Sequence, residues 1–495
     1  MSQLALSGSS VEPSILIIFG GLGDLAQKKL FPALFELFQK KLLSPQQKIV
    51  AVGRRDFDQE EAQSLAVLNI SGQPAEVSKF RSLIRYVPCD CAKKEDVRRL
   101  KEVLKAERLN WRLVFYMALK PELFEAALIN LKEEGLLAWQ GTQSRFLLEK
   151  PFGVDLASSC RLTQLLGEFL PEDALFRIDH YLAKEQIQSM LVLRQSNPFL
   201  DTILDKAHIS HIQLTVAEDA GIEGRGEYFE SAGIVRDMFQ NHLLQVLSIC
   251  LMENPFWRDS SEMSYEKIRV LKNLRVWHSF KKEEVLVRAQ YESGFVKGYR
   301  ARGYREEDKV KPFSQVETFF AGCFECLSPR WVGVPIFVRV GKRLPKRIGM
   351  ISFFFKRGLD LDRELVAEYP SLAYLSQQAL RIEFQPREKV SLFVNTKIPG
   401  LQFQKTLIPL SFNLPQVLGE YFRDPYSRVL YDALCGNRAL FPLSEEVNLA
   451  WQIVDEIRAY FNKDIIPLRF YPSGSWGPAE SDKLINRFKF NWERL

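Results

Sequence analysis

Apolar positions set the first boundaries along the chain. Ile15–Phe19 is a short, continuous, β-branched apolar run, the pattern of a strand buried on both faces. It runs into Gly20-Gly21-Leu22-Gly23-Asp24, and a helical spacing follows through Leu25, Leu30, Leu34 and Leu37, with Pro32 as a local irregularity. Lys48–Val52, Leu83–Val87, Arg112–Met117 and Arg145–Leu148 repeat the strand pattern, with helical stretches between them. Strand and helix alternate in this way as far as Arg177, which predicts a parallel, doubly wound sheet.

Beyond Asp179 the pattern changes. Helical spacing is found over Gln186–Arg194, Ile234–Met252 and Glu445–Phe461. Alternating stretches occur at His211–Val216, Val285–Tyr291, Gln315–Cys323, Val334–Val340, Ile351–Phe355, Leu380–Phe384 and Val390–Val394. They predict a second, larger α+β domain on a mixed, mainly antiparallel sheet with helices on one face. The expected division is a tail over 1–14, a nucleotide-binding domain over 15–178 and a substrate domain over 179–495.

Composition narrows the function class. With 495 residues, 46% hydrophobic and 26% charged, the chain can bury a large core and is not of disordered type. Its net charge of +6 is spread out, which suits anionic small molecules and falls short of the basic stripe that nucleic acid requires. No apolar run reaches about 18 residues, so no membrane span is expected. Met1–Ser14 has neither a basic nor an apolar region of signal-peptide type. Seven scattered cysteines fit a reducing cytoplasm. Cys323-x-x-Cys326 is the sole CxxC and lacks a second ligand pair, so no metal site is expected.

The glycine turn is the first candidate site. Gly20-x-x-Gly23 stands where strand meets helix, and glycines there let the backbone approach a pyrophosphate at the positive end of the helix. The alternative is a tight turn that only packs helix on sheet. The tip of the next strand, Gly53-Arg54-Arg55, carries arginines where a carboxylate would select NAD, which favours NADP, although Asp56 follows one step later.

Two histidine segments supply candidate chemistry. Arg177-Ile178-Asp179-His180-Tyr181-Leu182-Ala183-Lys184-Glu185 gathers three donors for an anionic phosphate, His180, Tyr181 and Lys184, beside a carboxylate able to orient an imidazole. Gly224–Phe229 and Gly233–His242 hold Asp237 and His242, five residues apart, about 140° around an α-helix. They can flank a cleft wall but are not i,i+4 partners. A histidine is the usual general base for an alcohol oxidation, and Asp179 or Asp237 could hold its other nitrogen.

With these segments in hand, the chain resembles the glucose-6-phosphate dehydrogenase family, bacterial type. The resemblance rests on Gly20–Ala26, Glu149-Lys150-Pro151-Phe152-Gly153, Arg177–Glu185, Gly224–His242, Gly341-Lys342-Arg343-Leu344-Pro345 and Gly474-Ser475-Trp476-Gly477-Pro478, in register from Ile15 to Leu484. It implies a Rossmann domain plus a large mixed-sheet domain. It also implies oxidation of C1 of glucose 6-phosphate to the 1,5-lactone by NADP, the entry to the pentose phosphate pathway, by a homodimer or homotetramer assembled through the large sheet.

By the same resemblance, His242 is the base, Asp179 orients it, and Lys150 touches sugar and cofactor. His180, Tyr181, Lys184 and Lys342 grip the substrate phosphate. Glu218 and Asp237 accept sugar hydroxyls, and Arg347 and Gln385 stand at further substrate positions. Gly20, Gly21, Leu22, Gly23, Asp24, Leu25, Arg54 and Lys150 hold NADP. Leu22, Lys120, Phe124 and Ala183 depart from the family pattern, and Ile348, Ser352 and Glu383 stand where a second NADP site would use basic residues. The alternatives are a related dehydrogenase of another hexose phosphate and a non-catalytic paralogue. The phosphate-gripping set argues against the free sugar, and the presence of His242, Asp179 and Lys150 against loss of catalysis.

Overall fold

The computed structural model of the chain describes residues 11–106, 111–254, 260–356, 377–386, 388–401, 405–413 and 424–493. Two compact units emerge. The first comprises Met1–Ala183, Arg258–Ser264 and Phe422–Asn448; the second comprises Lys184–Trp257, Tyr265–Tyr421 and Leu449–Leu495.

The first unit is built on six strands, β1 (Ser14–Phe19), β2 (Lys48–Gly53), β3 (Ile84–Pro88), β4 (Arg112–Met117), β5 (Arg145–Leu148) and β6 (Leu175–Arg177). They pair in parallel in the order β3-β2-β1-β4-β5-β6. This is the order of dinucleotide-binding sheets, whose ligand crevice lies outside the carboxyl ends where the order reverses, here at β1 and β4. The apolar runs divide by the strand period of two. Ile15, Ile17, Phe19, Val50, Val52, Phe115 and Leu148 fill the core on one face. Leu16, Ile18, Ile49, Ala51, Val114 and Leu147 fill it on the other.

The irregularity at Pro32 has a structural counterpart. A π-helical turn, Ala26–Leu30, precedes the α-helix Phe31–Gln39, so Pro32 falls in a first turn, where no N–H is required. The last segment of this unit comes from far along the chain. Helix Pro425–Cys435, capped by the Asp424 carboxylate on the Tyr426 N–H at 3.0 Å, buries Val429, Leu430, Ala433 and Leu434 in the cluster that holds Leu34. The Arg145 guanidinium donates to its last carbonyls, Ala433 O at 2.9 Å and Leu434 O at 2.6 Å. Chain order grouped this stretch with the second domain; its apolar face docks in the first.

The second unit is built on ten strands: β7 (Ile209–Ala217), β8 (Leu274–Val276), β9 (Leu286–Glu292), β10 (Phe319–Cys326), β11 (Ile336–Gly341), β12 (Ile348–Phe355), β13 (Ala379–Gln385), β14 (Lys389–Lys397), β15 (Lys405–Asn413) and β16 (Leu468–Pro472). Their order is β15-β14-β13-β12-β7-β11-β10-β9-β16, with β8 also on β10. All pairs are antiparallel except β7–β11 and β9–β16. The mixed, mainly antiparallel sheet is therefore present. Both end strands escaped the sequence reading because each carries a proline, Pro409 and Pro472, a residue tolerated at a sheet edge. Cys323 and Cys326 lie three apart on β10, so their buried thiols face opposite sides of the sheet. The helix expected over Ile234–Met252 is interrupted: helix Gly226–Ile234 leads into a π-helix, Val235–Leu243, and then α-helix Leu244–Leu251.

On β7, His211 is sealed between the rings of Phe354 and Phe490, at 4.4 and 3.9 Å between centroids. Its ring nitrogens meet Ser210 Oγ at 2.9 Å and Gln213 Nε2 at 3.1 Å. Burial pushes its pKa down to about 3, so the folded protein keeps it neutral. The unfolded chain takes up a proton near pH 6.5, the folded one does not, and stability falls as pH drops through that value. Moving from pH 7 to pH 5 should therefore cost about 2 kcal/mol through His211 alone. Urea unfolding of wild type and His211→Phe at both pH values checks this: the variant should lose that much less. Equal losses would assign the acid sensitivity elsewhere.

Candidate active site

The candidate residues of the first unit stand at the carboxyl ends of its strands. After β1 the chain turns at Gly20, where φ is +73°; a Cβ there would lie 2.6 Å from Ala118 O. Gly21 is more tightly held. Its N–H donates to Val52 O at 2.9 Å, and a Cβ would lie 2.8 Å from both Ala51 Cα and Ile18 O. Gly23 N–H closes the turn on Gly20 O at 2.9 Å. Leu22 and Leu25 pack against the core, so only their backbone is available to a phosphate. Asp24 is exposed and pairs with Lys28 at 2.9 Å. After β2, Arg54, Arg55 and Asp56 are all exposed. The turn thus keeps bare backbone at the helix start, and guanidinium groups project beyond the neighbouring strand, a fit to a dinucleotide carrying a 2′-phosphate.

After β5 come Glu149 and Lys150, the latter joined to Pro151 by a cis peptide bond. The Glu149 carboxylate accepts hydrogen bonds from the hydroxyls of Tyr116 and, at 3.1 Å, Tyr426. Burial pushes the Glu149 carboxyl up, against the opposing influence of these donors and of the Lys150 ammonium. The same burial, with Glu149 beside them, raises both phenols. After β6, the Asp179 carboxylate accepts the Tyr181 N–H at 2.9 Å, shaping the turn. The His180 ring lies parallel to Tyr426, 6.4 Å between centroids, and edge-on to the buried Tyr181 at 5.2 Å. Tyr426 was not legible in the sequence: it arrives on the helix that returns to this unit, 277 residues from Glu149.

In the second unit, Glu218 follows β7 and Lys342 follows β11, and these two parallel strands are neighbours. Their ends are stitched by Glu218 N–H to Gly341 O at 3.0 Å and Leu344 N–H to Glu218 O at 2.9 Å. The side chains meet as well: Lys342 Nζ, 2% exposed, is 2.5 Å from Glu218 Oε2. Lys184 immediately precedes helix Glu185–Ser196 and donates from Nζ to Gln385 Oε1 at 2.8 Å, at the end of β13. Arg347 is exposed nearby in sequence. The structure therefore pairs Lys342 with Glu218 and Lys184 with Gln385. At Ser352, one of the positions where a second NADP site would use basic residues, Oγ donates to Glu493 Oε2 at 2.7 Å, and Arg381 is ion-paired with the same carboxylate.

Asp237 and His242 lie on the π-helix Val235–Leu243 and are 9% and 1% exposed. This alters the expected geometry. Hydrogen bonding from i to i+5 brings residues five apart to one face, where an α-helix would have splayed them. Tyr228 donates its hydroxyl to Asp237 Oδ1 at 3.1 Å, and burial together with that carboxylate raises the phenol. Tyr228 lies in the motif segment but was not singled out. A buried imidazole on the same helix as a buried, hydrogen-bonded carboxylate can take a proton from a hydroxyl.

Comparison with known proteins shows the family. Residues 17–189 match the family model "Glucose-6-phosphate dehydrogenase, NAD binding domain", and residues 191–493 match "Glucose-6-phosphate dehydrogenase, C-terminal domain". The glucose-6-phosphate 1-dehydrogenase of Dickeya dadantii is 35% identical over 98% of this chain and 99% of its own, and that of Bacillus subtilis is 34% identical over 97% and 98%. A solved glucose-6-phosphate dehydrogenase in complex with glucose 6-phosphate superposes with a TM-score of 0.88 at 31% identity, covering 98% of this chain and 99% of that one. The chain belongs to the glucose-6-phosphate dehydrogenase family.

The glycine turn makes an immediate prediction. Gly21→Ala forces a methyl group onto backbone atoms and should cost about 1–3 kcal/mol. A Cβ on the exposed Gly23 meets only Gly20 O, at 3.2 Å, so Gly23→Ala should fold with near-normal stability. Thermal denaturation of both variants decides; comparable destabilisation would show that the turn is not held at Gly21.

Proposed function

We propose that His242 is the general base with which this chain oxidises C1 of D-glucose 6-phosphate to 6-phospho-D-glucono-1,5-lactone. The chain is an NADP-dependent oxidoreductase acting on a CH–OH group. NADP, when bound, supplies the hydride acceptor; Gly20–Leu25, Arg54 and Lys150 would hold it. The bare glycine turn and the exposed arginines beyond β2 support that fit. As the C1–H bond breaks, His242 removes the hydroxyl proton and C1 becomes a carbonyl carbon. Asp179 orients the imidazole, and Lys150 steadies sugar and cofactor. Lys184, Lys342, His180 and Tyr181 bind the phosphate, while Glu218, Asp237, Arg347 and Gln385 bind the rest of the sugar.

The observation that carries this reading is the buried pair Asp237 and His242 on one face of the π-helix. His242→Asn should lower kcat by about 10²–10⁴ while the KM for glucose 6-phosphate changes little. A near-normal kcat would remove His242 from the mechanism.

Cofactor choice is assigned to Arg54, aided by Arg55. A charge-assisted hydrogen bond is worth about 1.5–3 kcal/mol, so Arg54→Ala should cost NADP about ten- to a hundredfold in kcat/KM and leave NAD turnover nearly unchanged. Equal losses with both cofactors would assign the arginine another role.

The chain acts as a homo-oligomer, a dimer or tetramer, in the cytoplasm. Alternate residues of the end strand β15, Ile408, Leu410 and Phe412, are exposed on one face, which favours contact with a second copy. All seven cysteines are free, as a reducing compartment requires. Among the described residues, no helix is long and apolar enough to cross a membrane.

A further inference from the structure

The π-helix that carries Asp237 and His242 begins at a sharp break. Gly233 has φ +66° and ψ 169°, outside the helical region, so helix Gly226–Ile234 and the π-helix meet at an angle. A new helix start exposes N–H groups that need acceptors. Here both come from one residue outside the helix: Glu317 O accepts the Ile234 N–H at 2.9 Å, and Glu317 Oε1 accepts the Val235 N–H at 3.2 Å. Gly233 makes room for it, since a Cβ there would lie 2.5 Å from Glu317 Oε1. Burial pushes the Glu317 carboxyl up, against the opposing influence of the backbone N–H groups, Val235 among them, and of Arg236 and Arg288. A carboxylate at a helix N-terminus also opposes the positive end of the dipole.

The next residue ties in the other side. Thr318 O accepts the Lys342 N–H at 3.1 Å, and the Tyr471 hydroxyl donates to Lys342 O at 2.6 Å and meets Thr318 Oγ1 at 3.3 Å. Glu317 and Thr318 lead directly into β10, which pairs with β11. One dipeptide at the start of a sheet strand therefore holds the helix of the base and the backbone of the phosphate lysine.

We propose that Glu317 is a positioning residue for the oxidation: its buried carboxylate and carbonyl fix the start of the helix that presents His242, in register with Lys342. This rests on the assignment of His242 as base.

The test is Glu317→Ala and Glu317→Gln, assayed beside His242→Asn. Glucose 6-phosphate binding is measured by calorimetry, so that kcat can be expressed per binding-competent chain. Glu317→Ala should bind about one glucose 6-phosphate per chain, with affinity within about threefold of wild type, and lose about ten- to a hundredfold in kcat per competent chain, the scale of a small misplacement. Glu317→Gln keeps an acceptor for Val235 and should recover most of that loss. If Glu317→Ala does not fold, Glu317→Asp, which retracts the carboxylate by one methylene, should show the same loss of kcat. In the His242→Asn background, Glu317→Ala should cost less than about twofold more, because the group it positions is gone.

A binding stoichiometry that falls in step with activity, with kcat per competent chain unchanged, overturns the proposal and leaves Glu317 a purely structural residue. Full multiplication of the two losses in the double variant also overturns it. A His242→Asn enzyme with near-normal kcat overturns the base assignment instead. A crippled His242→Asn beside a fully active Glu317→Ala overturns the positioning role alone.

Discussion

Parallel strands deliver their carboxyl ends to a common edge, and that constraint places most of the functional side chains here. In the first unit, Gly20, Arg54, Lys150 and Asp179 follow β1, β2, β5 and β6 of one parallel sheet. The second sheet is mainly antiparallel, yet β7 and β11 lie side by side in parallel, and Glu218 and Lys342 follow those two strands. An antiparallel neighbour would have sent one of these residues to the opposite end of the sheet. β10, beside β11, adds Thr318 at its beginning, and β13, one strand removed from β7, adds Gln385 at its end, on the same edge.

The charges gathered on that edge are expensive to hold. Lys342 is 2% exposed, and its pairing with Glu218 must offset the loss of hydration of an ammonium group. A buried ion pair of this kind is a weak contributor to stability, so stability does not account for it. A dianionic phosphate is a stronger partner for an ammonium than a single carboxylate, and a sugar hydroxyl can donate to the carboxylate so released. Lys184, resting on the neutral amide of Gln385, gives up less when an anion arrives. In the proposed phosphate site both lysines are thus held by partners that a substrate can replace.

The strand skeleton was legible because buried parallel strands read as unbroken apolar runs: Arg112–Met117 and Arg145–Leu148 have the same bounds in sequence and structure. The family resemblance pointed to Lys342, Glu218, Lys184 and Gln385, and the structure pairs Lys342 with Glu218 and Lys184 with Gln385. Three features were not. The π-helix at Val235–Leu243 has no marker in apolar spacing, because Val235, Phe239 and Leu243 also fit an α-helix. The return of Pro425–Cys435 to the first unit depends on which of two cores receives an amphipathic face, and periodicity shows the face without its partner. The carboxylate of Glu317 meets its helix across 82 residues of chain, a contact that no local pattern encodes.

The departures from the family pattern fall largely on packing. The Leu22 side chain lies against the core cluster that also buries Ala183 at 4% exposure. Phe124 is 1% exposed in the cluster on the opposite face of the same sheet. In these places the chain makes apolar contact with the core of the first unit, which stabilises it. Lys120 differs in kind: it is exposed just beyond β4, where the strand order reverses and an anionic ligand would approach. A cation there adds to the field already set by Arg54 and Arg55. Leu22 thus offers a phosphate only its backbone, while Lys120 adds positive charge at the same carboxyl edge. Lys150, Asp179 and His242, the residues proposed to carry the chemistry, are not among these exchanges.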